Sequence, residues 1–480
     1  MPSIVHRAAI LGFARLANRA MAFLGPIFLV RLLSVEQFGE FRDFLLYATV
    51  LFTLVEFCIN GSIAYFVPKD PSRENHYFTQ ASMFVLFTSL AAALFVLVFG
   101  DHFPSLVIRE YKYALCLYVL FLCNLDAWEV LWITKKQAIN VLFYSLTRLT
   151  VRTAAVVLAA FLTREVSDVI WTLVVVEGIR LLVMGRYAVR KRLFTAEIST
   201  ASMKAQFAFF GPIGAGNMLH TANIYMGQIY ISAVMGPAML ALYAIGAYLY
   251  PIIHVFQSSV GETIMPEIAS KTDQPPKVAL VLWQRATIVY CAVMMPIALL
   301  LFYYADVFVS LLFTSAFTDA TPIFQIFVFL LIRECFDFSL PLRIVHRTNV
   351  FLKVSTLTLI INLGLMLLLV KYYGLLGPAL AIVITRFVGG IYLGVYVMKY
   401  CEFSFGELLP WTDIAKTVVL CLGCATVLFA GELFDIGSLI RAVLFGGIYL
   451  ILFGMILSKS GISEVNKFVL RIRERVGLGA

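Results

Sequence analysis

Charge is scarce in this sequence. Of its 480 residues only 14% are Asp, Glu, Lys or Arg, while 61% are hydrophobic. A soluble globular domain carries about 25% charge, so a water-soluble fold is excluded. No glycine-rich stretch reads as a phosphate-cradling P-loop, which argues against direct driving by ATP. The eight cysteines are scattered. Even the close pair Cys421 and Cys424 has no histidine or carboxylate at ligand spacing, so zinc and redox chemistry are excluded and no metal or cofactor is expected. The formal charge of +9 is not accompanied by a basic region interleaved with aromatics, so no nucleic acid is expected as a partner. Long polar loops are missing as well. The longest stretch assigned to the far side, 304–321, carries only Asp306 and Asp319 as charges, too little for the catalytic loop of an integral membrane enzyme. A cleavable signal peptide is a poor reading of the start, because the first apolar stretch is too long, holds arginines and lacks a small-residue cleavage site.

What is present is a series of apolar runs of bilayer-spanning length, with a mean hydropathy of +0.92. The expected fold is an all-α integral membrane protein of about fourteen helices. Their limits are 8–33, 38–67, 77–99, 105–133, 139–162, 167–187, 205–235, 238–268, 278–303, 322–342, 350–372, 376–398, 415–431 and 438–458. With the N-terminus inside, 23 basic residues fall in inside segments and seven, Arg42 among them, in outside ones. The positive-inside rule then places both termini in the cytoplasm. The longest basic segment separates a lobe at 1–187 from a second at 205–398, so 188–204 reads as a cytoplasmic linker. Gly39 to Pro68, read as a loop glycine, a long helix and a terminal proline, has a faint counterpart in Gly236 to Pro266. Two six-helix pseudo-repeats of the same orientation would place a substrate path between them. An additional helix pair spans 399–459, and the basic, amphipathic tail 460–480 suits an anionic membrane surface.

Charges inside the spans narrow the function. Arg15 and Arg19 lie one turn apart on the first helix, each costing about 2.5–3.5 kcal/mol to insert. Counted from the turn near Glu36, Glu56 of the second helix reaches the same depth and can neutralise one of them. The surplus charge suits a diphosphate, which a guanidinium fork binds in bidentate fashion. A network of the two arginines with Glu56 is the competing reading. Glu177 with Arg180, and Arg333 with Asp337, are spaced to pair on their own helices. Arg148 and Arg152 form another stripe, at the depth of Asp126 and Glu129 on the antiparallel neighbour, which favours a buried four-charge cluster over substrate contact. On the seventh helix Asn217, Thr221, Tyr225, Gln228 and Ser232 share a polar face, with His220 at its edge, suited to sugar hydroxyls or to packing against other helices. Arg386 has no obvious local acid.

The segment LVRLLSVEQFGEF, with Arg31 and Gly39, resembles the loop after the first helix of polysaccharide-transport proteins in the MOP exporter superfamily. FGPIGAGNMLHTANIYMGQIYISAVMGPAMLALYAIGAYL is similar to that family's seventh helix and the start of its eighth. VSLLFTSAFTDATPIFQIF and GLLGPALAIVITRFVGG match later family segments, so the likeness covers nearly the whole chain. Two positions depart from the pattern: Gly227 stands where the family often has Asp, and Thr314 where it usually has Gly. The resemblance implies a Wzx-type flippase of the bacterial inner membrane, moving a polyprenyl-diphosphate-linked oligosaccharide for O-antigen, capsule or exopolysaccharide synthesis. Membrane lipids are then partners, and H+ or Na+ coupling and a glycan polymerase complex are open options. A cation-coupled multidrug exporter, with aromatics and carboxylates in its cavity, and an integral membrane glycan polymerase or ligase are the alternatives. The substrate-binding candidates are Arg15, Arg19, Glu56, Arg148, Arg152, Asn217, His220, Gln228 and Arg386.

Overall fold

In the computed structural model, residues 23–125, 127–195, 198–248, 280–345, 347 and 349–460 are described. Every regular element among them is helical. A chain in hydrocarbon must satisfy its own backbone groups, and a helix does so within one segment. Ten helical segments are long and apolar enough to cross a membrane. Helices Val166–Arg190 and Thr200–Met235 add two more of spanning length. The chain is a multi-pass membrane protein. Of the expected helices, 8–33 and 238–268 fall largely outside the described residues, as do Arg15, Arg19, Asp126 and the tail after Ser460.

Packing divides the chain into two units, Met1–Ala244 and Ile245–Ala480. In the first, α1 (Val35–Glu56) begins where Ser34 and Gln37 cap one another reciprocally, the side chain of each bonding the other's backbone N–H. This start places Gly39 inside the helix, not in a loop, and places Arg42 on the helix rather than in an outside segment. After α1 come α2 (Asn60–Lys69), α3 (Glu74–Phe99), α4 (Leu106–Glu110), α5 (Lys112–Cys123), α6 (Ala127–Thr134), α7 (Ala138–Thr163), α8 (Val166–Arg190) and α9 (Thr200–Met235). The segment after α8 is fastened to α3: Asn75 donates to the carbonyl of Arg192, Gln80 to that of Ser199, and the Thr195 N–H to the Thr79 hydroxyl, at 2.9–3.1 Å.

The second expected helix is broken. Phe57 and Cys58, between α1 and α2, both have positive φ, 43° and 60°, a left-handed conformation costing each about 1–2 kcal/mol. The break survives in hydrocarbon because its freed groups have partners. The Glu56 carboxylate accepts the Cys58 N–H at 3.2 Å, and the Thr88 hydroxyl donates to the Val55 carbonyl at 2.9 Å.

In the second unit α10 (Val281–Tyr303) and α11 (Ala305–Phe313) are followed by α12 (Thr321–Glu334), α13 (Ser339–Ile344), α14 (Asn349–Tyr373), α15 (Leu376–Cys401), α16 (Trp411–Cys424) and α17 (Ser438–Lys459). Helices α14 and α15 form a tight antiparallel hairpin. At its turn Gly374 has φ +53°, and a Cβ on Gly377 would lie 2.5 Å from the Val370 nitrogen. Helices α16 and α17 are joined where Cys421 Sγ meets the Tyr449 hydroxyl at 3.0 Å.

Candidate functional site

Four helices of the first unit each give one stripe to a common cavity of about 390 Å³. Helix α1 contributes Arg42, Leu45, Thr49 and Phe52, spaced by three or four residues and therefore on one face. Helix α7 contributes Arg148 and Arg152, α5 contributes Tyr118 and Leu122, and α9 contributes Tyr225 and Gln228. The volume lies in the range of small-ligand sites. Among the described residues three guanidinium groups and no carboxylate line it.

The cavity lies along α1 between two close approaches, one to the start of the helix Pro237–Gly246 that follows α9 and one to the middle of α9. A Cβ on Gly39 would fall 2.0 Å from the Pro237 carbonyl oxygen, and one on Gly214 would fall 2.6 Å from that of Phe57. Only glycine permits both approaches, the small-residue contact by which membrane helices bring their backbones together. Between these contacts the bulkier Phe52, Tyr225 and Gln228 line open space. The pairing of Arg42 near one end with Arg148 and Arg152 on α7 surrounds that space with positive charge.

Partners of the arginines differ. Arg148 Nη1 stands 3.9 Å from Glu129 Oε2, with both side chains 29% exposed, a long ion pair at the cavity edge. Arg152 places its guanidinium 5.9 Å from the centre of the Tyr118 ring and pairs with no carboxylate among the described residues. Of the expected four-charge cluster Asp126 lies outside the described residues, and the part given to Arg152 is corrected. Depth arithmetic found the neighbouring helices but not the rotation of each side chain, and Arg152 points to the cavity and Tyr118 instead of to Glu129.

Elsewhere the charges are settled locally. Glu177 and Arg180 pair as expected, at 2.6 Å with Glu177 fully buried. Arg333 does not pair with Asp337. It bonds Glu334 at 3.1 Å and the carbonyl of Arg386 at 3.2 Å. The helix ends at Glu334, so the i,i+4 geometry is lost, and Asp337 accepts the backbone N–H and hydroxyl of Ser339 at the start of α13.

Of the sequence candidates, Arg148, Arg152 and Gln228 meet in the cavity. Glu56 caps the helix break, and Asn217 lies beside Cys58 near that break. Asn217 and His220 are exposed and do not line the cavity, while Arg386 belongs to the second unit. Gly227 is buried on α9. Arg42 was missed as a site residue because it was counted outside. The reciprocal Ser34–Gln37 cap, legible as S-x-x-Q, was the signal that would have moved it into the helix.

Comparison with known proteins adds identity of another kind. A family model described as polysaccharide biosynthesis protein matches residues 28–322. A protein described as an uncharacterized membrane protein of Methanocaldococcus jannaschii is 26% identical over 232 residues, 47% of this chain and 45% of its own length. The match thus spans under half of that relative. Among solved structures, lipid II flippase MurJ in an inward closed conformation superposes with a TM-score of 0.71 at 15% identity, over 94% of this chain and 99% of that one. A multidrug resistance MATE family transporter of the MOP superfamily, inward-facing, gives 0.60 at 13% identity, over 82% and 94%. At such identities these likenesses concern the fold.

Proposed function

Because the chain belongs to the polysaccharide biosynthesis protein family, we propose that it is a flippase carrying a polyprenyl-diphosphate-linked oligosaccharide across the bacterial inner membrane, with both termini cytoplasmic. The observation that carries this reading is the cavity lined by Arg42, Arg148 and Arg152, with no carboxylate among the described residues of its wall. Diphosphate is the part of such a substrate least able to enter hydrocarbon. Guanidinium groups replace its hydration with charge-assisted, bidentate hydrogen bonds, which gain strength as the local dielectric falls. Tyr118, Tyr225 and Gln228 offer ring faces and an amide to the first sugar. The lipid tail stays in the bilayer, so the transporter has to shelter only the polar head. Arg15 and Arg19, by their one-turn spacing, are assigned to the same anion, and Glu56 to balancing charge near them.

A multidrug exporter of organic cations would want carboxylates where this cavity has arginines. The test is deletion of the gene followed by complementation. Loss of the protein should strand the lipid-linked oligosaccharide on the cytoplasmic leaflet and abolish surface glycan. The wild type should restore export, and Arg42→Ala with Arg152→Ala should not, although the variant reaches the membrane at the wild-type level. Export by that double variant at the wild-type rate would overturn the assignment.

A further inference from the structure

One residue from the cavity wall, on the opposite face of α1, sits a carboxyl group that the proposed transport reading does not use. Asp43 is 1% exposed. Its Oδ2 accepts a hydrogen bond of 2.6 Å from the Ser105 hydroxyl. That hydroxyl is fixed in direction, because its oxygen caps α4 by accepting the Ile108 N–H at 3.2 Å and so leaves its proton for Asp43. The other oxygen, Oδ1, is buried without a partner. Beside it stand the hydroxyls of Tyr47, on α1, and Ser232, on α9, both buried; Ser232 lies close enough to act on both Asp43 and Tyr47, but none of these contacts reaches good hydrogen-bond geometry. Three buried polar atoms short of a well-formed hydrogen bond therefore surround one point, where α1, α4 and α9 meet.

The groups acting on the carboxyl are Ser105 and Ser232, and among the described residues the titratable neighbour in the cluster is the Tyr47 phenol. Charged residues on the packed elements face elsewhere. Arg42 lines the cavity, and Glu40 interacts with Glu36, Glu110 and Glu165. Arg109 of α4 bonds the Phe103 carbonyl, and Lys112 at the start of α5 pairs with Asp101. On α8, Asp168 near its start does not act on the group, and Glu177 is held by Arg180. Among the described residues no cation pairs with Asp43. A buried carboxyl without an ionic partner can satisfy a neighbouring hydroxyl oxygen only as the neutral acid, whose O–H donates.

We propose that Asp43 is a proton-binding site: Oδ1 takes a proton from water, the resulting O–H donates to Ser232 or Tyr47, and occupancy of the site holds the α1–α4–α9 seam closed beside the cavity. Loss of the proton leaves a bare carboxylate in that seam, which must then open to water. Since Tyr225 and Gln228 lie one to two turns from Ser232 on the same helix, opening the seam moves the cavity wall. The protonation itself does not depend on what the cavity carries.

Infrared difference spectroscopy of the full chain in lipid nanodiscs, wild type minus Asp43→Asn, tests it. The expected result at pH 7 is the carbonyl band of a protonated carboxylic acid, present in the wild type and absent in the variant. The isosteric amide should also keep the wild-type melting temperature, and export by Asp43→Asn should lose the pH dependence of the wild type. Carboxylate bands alone at pH 7 would overturn the proposal, and so would a wild-type pH profile in Asp43→Asn. If that variant fails to accumulate, Ser232→Ala and Tyr47→Phe both retain the acid, at least one of them must shift its carbonyl band, and a band unshifted in both would equally overturn the proposal. Because the spectroscopy needs no substrate, its failure is separable from failure of the flippase reading.

Discussion

In the first unit Arg42, Arg148 and Arg152 open onto a shared cavity of about 390 Å³. In the second, a cavity of similar size, about 400 Å³, is bounded by Met295, Phe302, Val328, Ile332, Val418 and Leu422 among others, and no charged residue lines it. Arg333 of that unit is held instead by Glu334 and by the carbonyl of Arg386. The first unit contains a similar neutralised pair, Glu177 with Arg180. Two ways of carrying arginine through a bilayer thus occur in one chain. Arg180 has its carboxylate on the same helix and serves the fold. Arg333 is likewise paired, although it edges another, largely apolar cavity. Arg152 is instead turned toward an open volume where an anion can reach it.

Breaking the internal pair should have the largest effect. Arg180→Ala leaves Glu177 buried and uncompensated, which should cost about 3–5 kcal/mol. The protein should accumulate poorly and melt early in detergent, while Glu177→Leu combined with Arg180→Leu recovers much of the loss. If Arg180→Ala accumulates and melts like the wild type, the distinction between the two sets of arginines fails.

Cavity arginines should behave in the opposite way. Arg152→Ala should leave abundance and melting unchanged but reduce glycan export by tenfold or more, as expected for a charged hydrogen bond of about 1.5–3 kcal/mol. Lysine should rescue in part, since it keeps the charge and loses the planar fork. A fall in protein level equal to that of Arg180→Ala would move Arg152 to the structural set.

One of the close approaches that bound the cavity allows an intermediate test. Gly214→Ala forces a Cβ to within 2.6 Å of the Phe57 carbonyl oxygen, and overpacking of this kind costs about 1–3 kcal/mol. Export should fall together with thermal stability, and the Phe57–Cys58 break should be the part that shifts. Unchanged melting would mean that the contact is looser than its geometry.

The smallest effect belongs to the second unit. Thr314 occupies φ +74°, ψ 163°, a conformation nearly confined to glycine. Thr314→Gly should raise stability by about 1 kcal/mol, read as a small rise in melting temperature with export unchanged. A lower melting temperature would show that the threonine side chain is worth more than the strain it carries.

Much of this architecture was legible in advance, and the failures have identifiable causes. Helix positions followed from apolar runs too long for anything but a span, and the Glu177–Arg180 pair from i,i+3 spacing alone. The Arg333–Asp337 pair failed because the spacing argument holds only inside a helix, and α12 stops at Glu334. Arg42 was counted with the outside charges although it lies within the expected span 38–67, near its start. The break at Phe57 and Cys58 left no sequence signal, since neither is a glycine and the partners that stabilise it, Thr88 and Gly214, come from other helices.

By itself, then, the sequence determined the solvent of this protein, the approximate course of its helices, its family resemblance and the stock of arginines that need an explanation. Those properties are set by composition and by periodicity along one segment. Tertiary structure decided which arginines face a cavity and which are neutralised, that Asp43 is buried beside two unsatisfied hydroxyls, and that Gly39 and Gly214 mark the two close approaches along α1. These depend on the rotation of each helix about its axis and on the register between helices distant in the chain, and neither is encoded in the spacing of residues within a single helix.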